Sequence, residues 1–103
     1  MSIITETEGK NVSERILPII SPGEILREEF LRPLGITPYR LSKAIGVPQT
    51  RISAVLAGKR AITADTAIRL ARYFDNSPEF WMNLQTRYDL NRAREMDKGL
   101  LSA

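Results

Sequence analysis

From Ser21 onward the chain repeats one pattern: a hydroxyl-bearing residue, then apolar residues three and four positions apart, then a glycine or a polar break. Ser21-Pro22-Gly23-Glu24 places an N-cap serine before a proline at the first helical position, with a glutamate three residues after the cap, which is a capping box. This predicts a helix over 22–32 with Ile25, Leu26, Phe30 and Leu31 as its apolar stripe, stopped by Pro33 and Gly35. Thr37-Pro38 repeats the start signal, and Leu41, Ala44 and Ile45 then fall on one face of a short helix that Gly46 ends. Pro48 suits the first turn of the next helix, in which Ile52, Val55 and Leu56 repeat the spacing until Gly58. Thr63 caps a fourth helix, with Asp65 at the positive end of its dipole and Ala67, Leu70, Ala71 and Phe74 inward, up to the break at Asp75-Asn76. Ser77-Pro78-Glu79 starts a fifth and longer helix carrying Phe80, Trp81, Leu84 and Tyr88.

Outside these helices the pattern weakens. Residues 1–20 show no helical period, and "TETEGKN" is polar enough for a flexible arm. "RILPII" suits an extended segment, restricted to a sheet edge by its proline. After Tyr88 the apolar stripe fades into charged residues. The expected organisation is an arm over 1–20, one domain over 21–96 and a tail over 97–103. The fold class is all-α, a five-helix bundle.

Composition narrows the chemistry. With 103 residues the chain forms one small domain, and a second copy would add burial that so short a chain lacks. It holds no Cys and no His, which removes thiol nucleophiles, the usual metal ligands and the commonest general base. Glu24, Glu28 and Glu29 recur at helix-surface spacing without a catalytic partner or a Gly-rich phosphate loop beside them. No catalytic residue, metal or cofactor is expected. The acidic start "MSIITETEGK" and the short, Pro-broken "ILPII" argue against a signal peptide or membrane span, so the expected location is cytoplasmic.

Charge is segregated along the chain. None of the 12 Asp and Glu residues falls between Glu29 and Asp65, a window that holds Arg32, Arg40, Lys43, Arg51, Lys59 and Arg60. Such a segment in a protein of net charge +3 fits a surface that meets a polyanion.

That window contains "GVPQTRISAVLAGKR". Two short helices joined by a tight Gly-containing turn meet the requirements of a helix-turn-helix, whose second helix enters the DNA major groove. Ser42 is small enough for the helix crossing, Gly46 accepts a positive φ, and Leu41, Ile45, Val47, Ile52 and Val55 supply the seam. With Ile52, Val55 and Leu56 inward, Thr50, Ser53, Ala54 and Ala57 lie opposite, and Gln49 and Arg51 stand near the start. A solvated helix ordinarily carries Glu and Lys on that face. A small polar face suits a groove, where Gln reads adenine, Thr a base edge or methyl, and Arg guanine or phosphate. Arg40, Lys43, Lys59 and Arg60, with the amides after Thr37, are placed for backbone phosphates.

The stretches "PGE", "GVPQTRIS", "GKR.IT.DTA.RLA..F" and "FWMNLQ..YDL" resemble the Xre/Cro-type helix-turn-helix family, and within it the HigA or VapI-like antitoxins, from about Ser21 to Tyr88. The resemblance implies a lambda-repressor-like fold and a homodimer that binds a palindrome in its own promoter and neutralises a ribonuclease toxin of the HigB/RelE type. By position, Gln49, Thr50, Arg51 and Ser53 would read bases or phosphates, and Thr37, Arg40, Lys59 and Arg60 would contact backbone. Ser21 departs from the group, which often has His there. The wide apolar surface of the last helix assigns Phe80, Trp81, Leu84 and Tyr88 to core and dimer seam. Two other readings fit the same residues: a free-standing Xre-family regulator without a toxin, and an interaction module that no longer touches DNA.

Overall fold

The computed structural model describes residues 19–102, so the expectations of an arm and an edge strand within 1–18 lie outside the described residues. Among the described residues the architecture is five helices and no strand: α1 over 22–34, α2 Pro38–Ile45, α3 Gln49–Leu56, α4 Ala64–Phe74 and α5 Pro78–Ser102.

Four of the start signals act as read. Ser21 Oγ accepts from the Glu24 amide at 3.2 Å, Thr37 Oγ1 from the Arg40 amide at 3.1 Å, Thr63 Oγ1 from the Thr66 amide at 3.4 Å, and Ser77 Oγ from the Phe80 amide at 3.0 Å. Each satisfies one amide that the first helical turn leaves without a partner.

The first helix does not end at Arg32. It runs to Leu34 by widening into a π-helical turn over Leu26–Leu31, in which the Arg32 amide reaches back to the Arg27 carbonyl. The physical reason is Pro33. In an α-helix its ring would meet the carbonyl four residues earlier and its missing N–H would leave that carbonyl unbonded, whereas a wider turn admits it. The chain turns only at Gly35, at φ 67°.

The core is a single cluster. Leu26 and Leu31 of α1, Leu41 and Ile45 of α2, Ile52, Val55 and Leu56 of α3, Ala67, Leu70 and Ala71 of α4, and Trp81 of α5 are buried together with Val47 and Ile62 from the connections. Beside it, Phe30 stacks obliquely on Phe74 and Trp81 at centroid distances of 5.0 and 4.9 Å, tying α1 to α4 and α5.

α5 is held by polar contacts as well. The Trp81 indole N–H donates to Asn76 Oδ1 at 2.9 Å, and Asp75, at φ 60°, takes the left-handed turn that brings Asn76 there. The buried Gln85 accepts from the Ile62 amide at 2.8 Å and donates to Asp89 Oδ1 at 2.9 Å. From Asp89 to Asp97 the helix is largely exposed, with Leu90 and Met96 in the open. Its backbone nevertheless stays helical through Ser102, beyond the boundary expected at 97, as the helix-favouring run Ala93-Arg94-Glu95-Met96 allows.

Trp81 requires a correction. It is 0% exposed, so a second copy of the chain cannot touch it, and its part in any dimer is to hold α5 in place.

Gly23 carries a role beyond the capping box. The first turn of α1 lies directly on the backbone of α3: a Cβ on Gly23 would collide with the Val55 carbonyl oxygen and stand 2.8 Å from Leu56 Cα. Backbone cannot yield as a side chain can. Gly23→Ala is therefore expected to destabilise the domain by at least about 1–3 kcal/mol, read as a lower urea midpoint. Gln85→Leu strands the Ile62 N–H in a buried position and should cost about 1–3 kcal/mol. An unchanged midpoint for that variant would mean that water reaches Ile62.

Candidate nucleic-acid interface

The two short helices form a unit whose turn is built from backbone. Gly46, at φ 72°, ends α2, its amide donates to the Ser42 carbonyl at 3.0 Å, and the Val47 amide reaches the same carbonyl at 3.1 Å. A residue with a Cβ takes that φ at a cost, which is why glycine serves there. Ser42 Oγ donates to the Tyr39 carbonyl at 2.7 Å, so its hydroxyl is satisfied inside the helix crossing. Val47 is buried and pins the turn to the core.

α3 then begins without a capping side chain. Pro48 stands at the N-cap, one position earlier than expected, and the Arg51 and Ile52 amides bond to its carbonyl at 3.0 and 3.2 Å. Pro48 offers no side-chain acceptor to the amides of Gln49 and Thr50 at the helix start.

The division of α3 into two faces is clear. Ile52, Val55 and Leu56 are buried, while Gln49, Thr50, Ser53 and Ala57 are exposed and Arg51 and Ala54 are half-covered. The exposed face therefore carries an amide, two hydroxyls and small residues, and no acidic side chain. At the exit, the Lys59 amide bonds back to the Ala54 carbonyl at 2.9 Å, leaving the Lys59 and Arg60 side chains exposed just beyond the helix. Thr37, Arg40 and Lys43 are exposed on the preceding helix and its cap, with Lys43 Nζ 5.5 Å from the Tyr39 ring centroid. Lys59 and Arg60 also border an open groove shared with Tyr88 and Arg92 of α5.

Two supports of the helix pair escaped the sequence reading. Arg27 Nη1 donates to the Leu56 carbonyl at 3.0 Å, at the end of α3. Arg69 Nη1 donates to the Ile45 carbonyl at 2.7 Å, at the end of α2, while its Nε bonds Asp65 Oδ2 at 3.0 Å. Each cation sits at the negative end of a helix dipole and satisfies one of the carbonyls the last turn leaves over. The pairs are 29 and 24 residues apart, and only the i, i+4 spacing of Asp65 and Arg69 was visible locally. Among the described residues no group of His, Cys, Asp or Glu is arranged to hold a metal, and no helix is long and apolar enough to cross a membrane.

A family model described as helix-turn-helix matches residues 26–81. The chain is 51% identical over 90 residues to virulence-associated protein I of Dichelobacter nodosus, a match covering 87% of this chain and 79% of that protein. It is 43% identical over 83 residues to antitoxin HigA-1 of Vibrio cholerae, covering 77% and 78% respectively. Its structure is similar to that of the Pseudomonas aeruginosa antitoxin HigA with the higBA promoter, at TM-score 0.77 and 44% identity, covering 82% of this chain and 91% of the other. With the helix pair and its two-faced second helix, these matches establish that the chain belongs to the Xre/Cro-type helix-turn-helix family, in its HigA/VapI-like group.

Proposed function

We propose that this chain is the antitoxin of a toxin-antitoxin pair: a cytoplasmic, sequence-specific DNA-binding repressor of its own operon that neutralises a HigB/RelE-type ribonuclease. The observation that carries the DNA-binding part is the outward face of α3, where Gln49, Thr50 and Ser53 are exposed on a helix whose other face is buried. Gln49 near the helix start has the paired donor and acceptor that adenine requires, and Thr50 and Ser53 reach base edges without the bulk that would keep the helix out of the groove. Arg51 reads guanine or clamps phosphate. Thr37, Arg40, Lys43, Lys59 and Arg60 contact phosphates and set register. The reading is supported by the relatives named as antitoxins and by the similar antitoxin solved with promoter DNA.

The chain acts as a homodimer in this proposal. Two copies related by a two-fold axis present their α3 helices ~34 Å apart, one duplex turn, on a palindromic operator. The seam uses Phe80, Leu84 and Tyr88 of α5. Phe80 is 36% exposed, and Leu84 and Tyr88 are half-buried at successive i, i+4 positions on the same side of the helix.

The two kinds of DNA contact separate experimentally. Gln49→Ala should weaken binding to the operator by about 1–3 kcal/mol and relax preference at one base position, and Lys59→Ala should lower the salt slope by about one on every duplex. Equal losses for Gln49→Ala on operator and random DNA would overturn its base-reading role. For the toxin, co-expression with an adjoining reading frame that encodes a small basic protein should recover a complex in a tag pull-down. Recovery of the chain alone, with operator binding intact, would instead favour a free-standing regulator.

A further inference from the structure

We infer that Arg69 is a positioning residue for base reading: by bridging Asp65 and the Ile45 carbonyl it fixes the angle at which α3 is presented, and so sets sequence discrimination without touching DNA. The inference rests on the DNA-reading role proposed above.

The geometry uses both edges of one planar guanidinium. Nη1 meets the Ile45 carbonyl at 2.7 Å and Nε meets Asp65 Oδ2 at 3.0 Å. Both bonds are charge-assisted, and their directions are fixed by the rigid fork. Asp65 belongs to the first turn of α4, a helix locked into the core by Ala67, Leu70 and Ala71. Ile45 is the last residue of α2. Arg69 therefore ties the end of α2 to a helix anchored in the core.

Only residues 46–48 separate that tie from Gln49. The guanidinium lies against the turn itself, since a Cβ on Gly46 would stand 3.2 Å from Nη1. A displacement of the Ile45 carbonyl is passed through this short link to the start of α3, where Gln49 and Thr50 lie. At its other end α3 is fixed by the Arg27 bond to Leu56 and by the Gly23 contact. With that end fixed, loss of the Arg69 bond leaves the turn held by the apolar packing of Val47, which sets no direction, and the start of α3 can tilt by a small angle. A tilt misaligns side chains that must meet base edges in hydrogen-bond geometry, while long, flexible phosphate contacts adjust.

The test uses the full-length chain and two duplexes, one enriched by the wild-type protein from a random-sequence library and one with the same bases shuffled. Arg69→Met should lower the ratio of the two affinities about tenfold, the worth of one good base contact, with an unchanged salt slope. Arg69→Lys should recover part of that ratio, because an ammonium donates but cannot span both partners in a fixed fork. Partial unfolding would weaken both duplexes alike and leave the ratio where it was. If Arg69→Met does not fold by circular dichroism, Asp65→Asn carries the test: it loosens the guanidinium, and a smaller fall in the ratio is expected. A ratio equal to wild type in the folded variants overturns the inference, as does a salt slope lowered by about one, which would make Arg69 a direct phosphate contact. A wild-type protein that enriches no sequence overturns the DNA-reading role itself, a result distinct from either.

Discussion

A helix of eight residues does not hold itself in water, since isolated helices shorter than ~12–15 residues are marginal even with favourable sequences. α3 has that length, and its outer face packs against nothing in the bundle. Its position therefore depends on the seam where the first turn of α1 meets the backbone at Val55 and Leu56, an approach only Gly23 permits. Much of the bundle follows from that seam. Once α1 lies there, Arg27 one turn later reaches the Leu56 carbonyl. Phe30 further along meets Phe74 and Trp81, so the helix that carries α3 is also the one that joins α4 and α5. The wide turn over Leu26–Leu31 lets the same helix pass Pro33 without a break.

What was legible in the sequence is what local chemistry controls. Ser21, Thr37, Thr63 and Ser77 cap their helices because a hydroxyl three residues before an amide meets it whatever the rest of the chain does. Gly46 turns because its own φ permits it, and the inward set Ile52, Val55 and Leu56 follows from helical period alone. The two faces of α3 were readable for the same reason. The rest was hidden because it depends on pairs far apart in the chain. Nothing local marks Arg27 for Leu56, Arg69 for Ile45 or Gln85 for the Ile62 amide, and each looked like one more polar residue on a helix surface. Pro33 misled in the opposite sense: its local rule is to stop a helix, and packing of Leu26 and Leu31 into the core held the helix together around it. Trp81 misled through its size, since a wide apolar helix face does not reveal which of its residues the chain's own core will take.

The composition of α3 is a compromise between staying folded and remaining available. Thr50 and Ser53 are poorer helix formers than the Glu or Lys that a solvated face would carry, by a few tenths of a kcal/mol each. An N-cap proline adds no side-chain bond at the start. A helix weakened in these ways has to draw its order from neighbours, and the contacts that provide it sit where they do not cover the outward face: Gly23 beneath the helix, Arg27 at its carbonyl end, and Arg69 behind the turn that leads into it. All three come from α1 and α4, which lie on the core side of the pair. Among the described residues no ion pair falls on the outer face, while the segment that carries it contains six cations and no carboxylate between Glu29 and Asp65. Had Glu stood at position 50 or 53, the helix would be better formed in isolation and, in the DNA-binding role proposed above, would repel the polyanion. Stability is thus supplied from behind so that the front can remain small and polar, and the two arginines that bond the carbonyl ends of α2 and α3 both come from outside the helix pair.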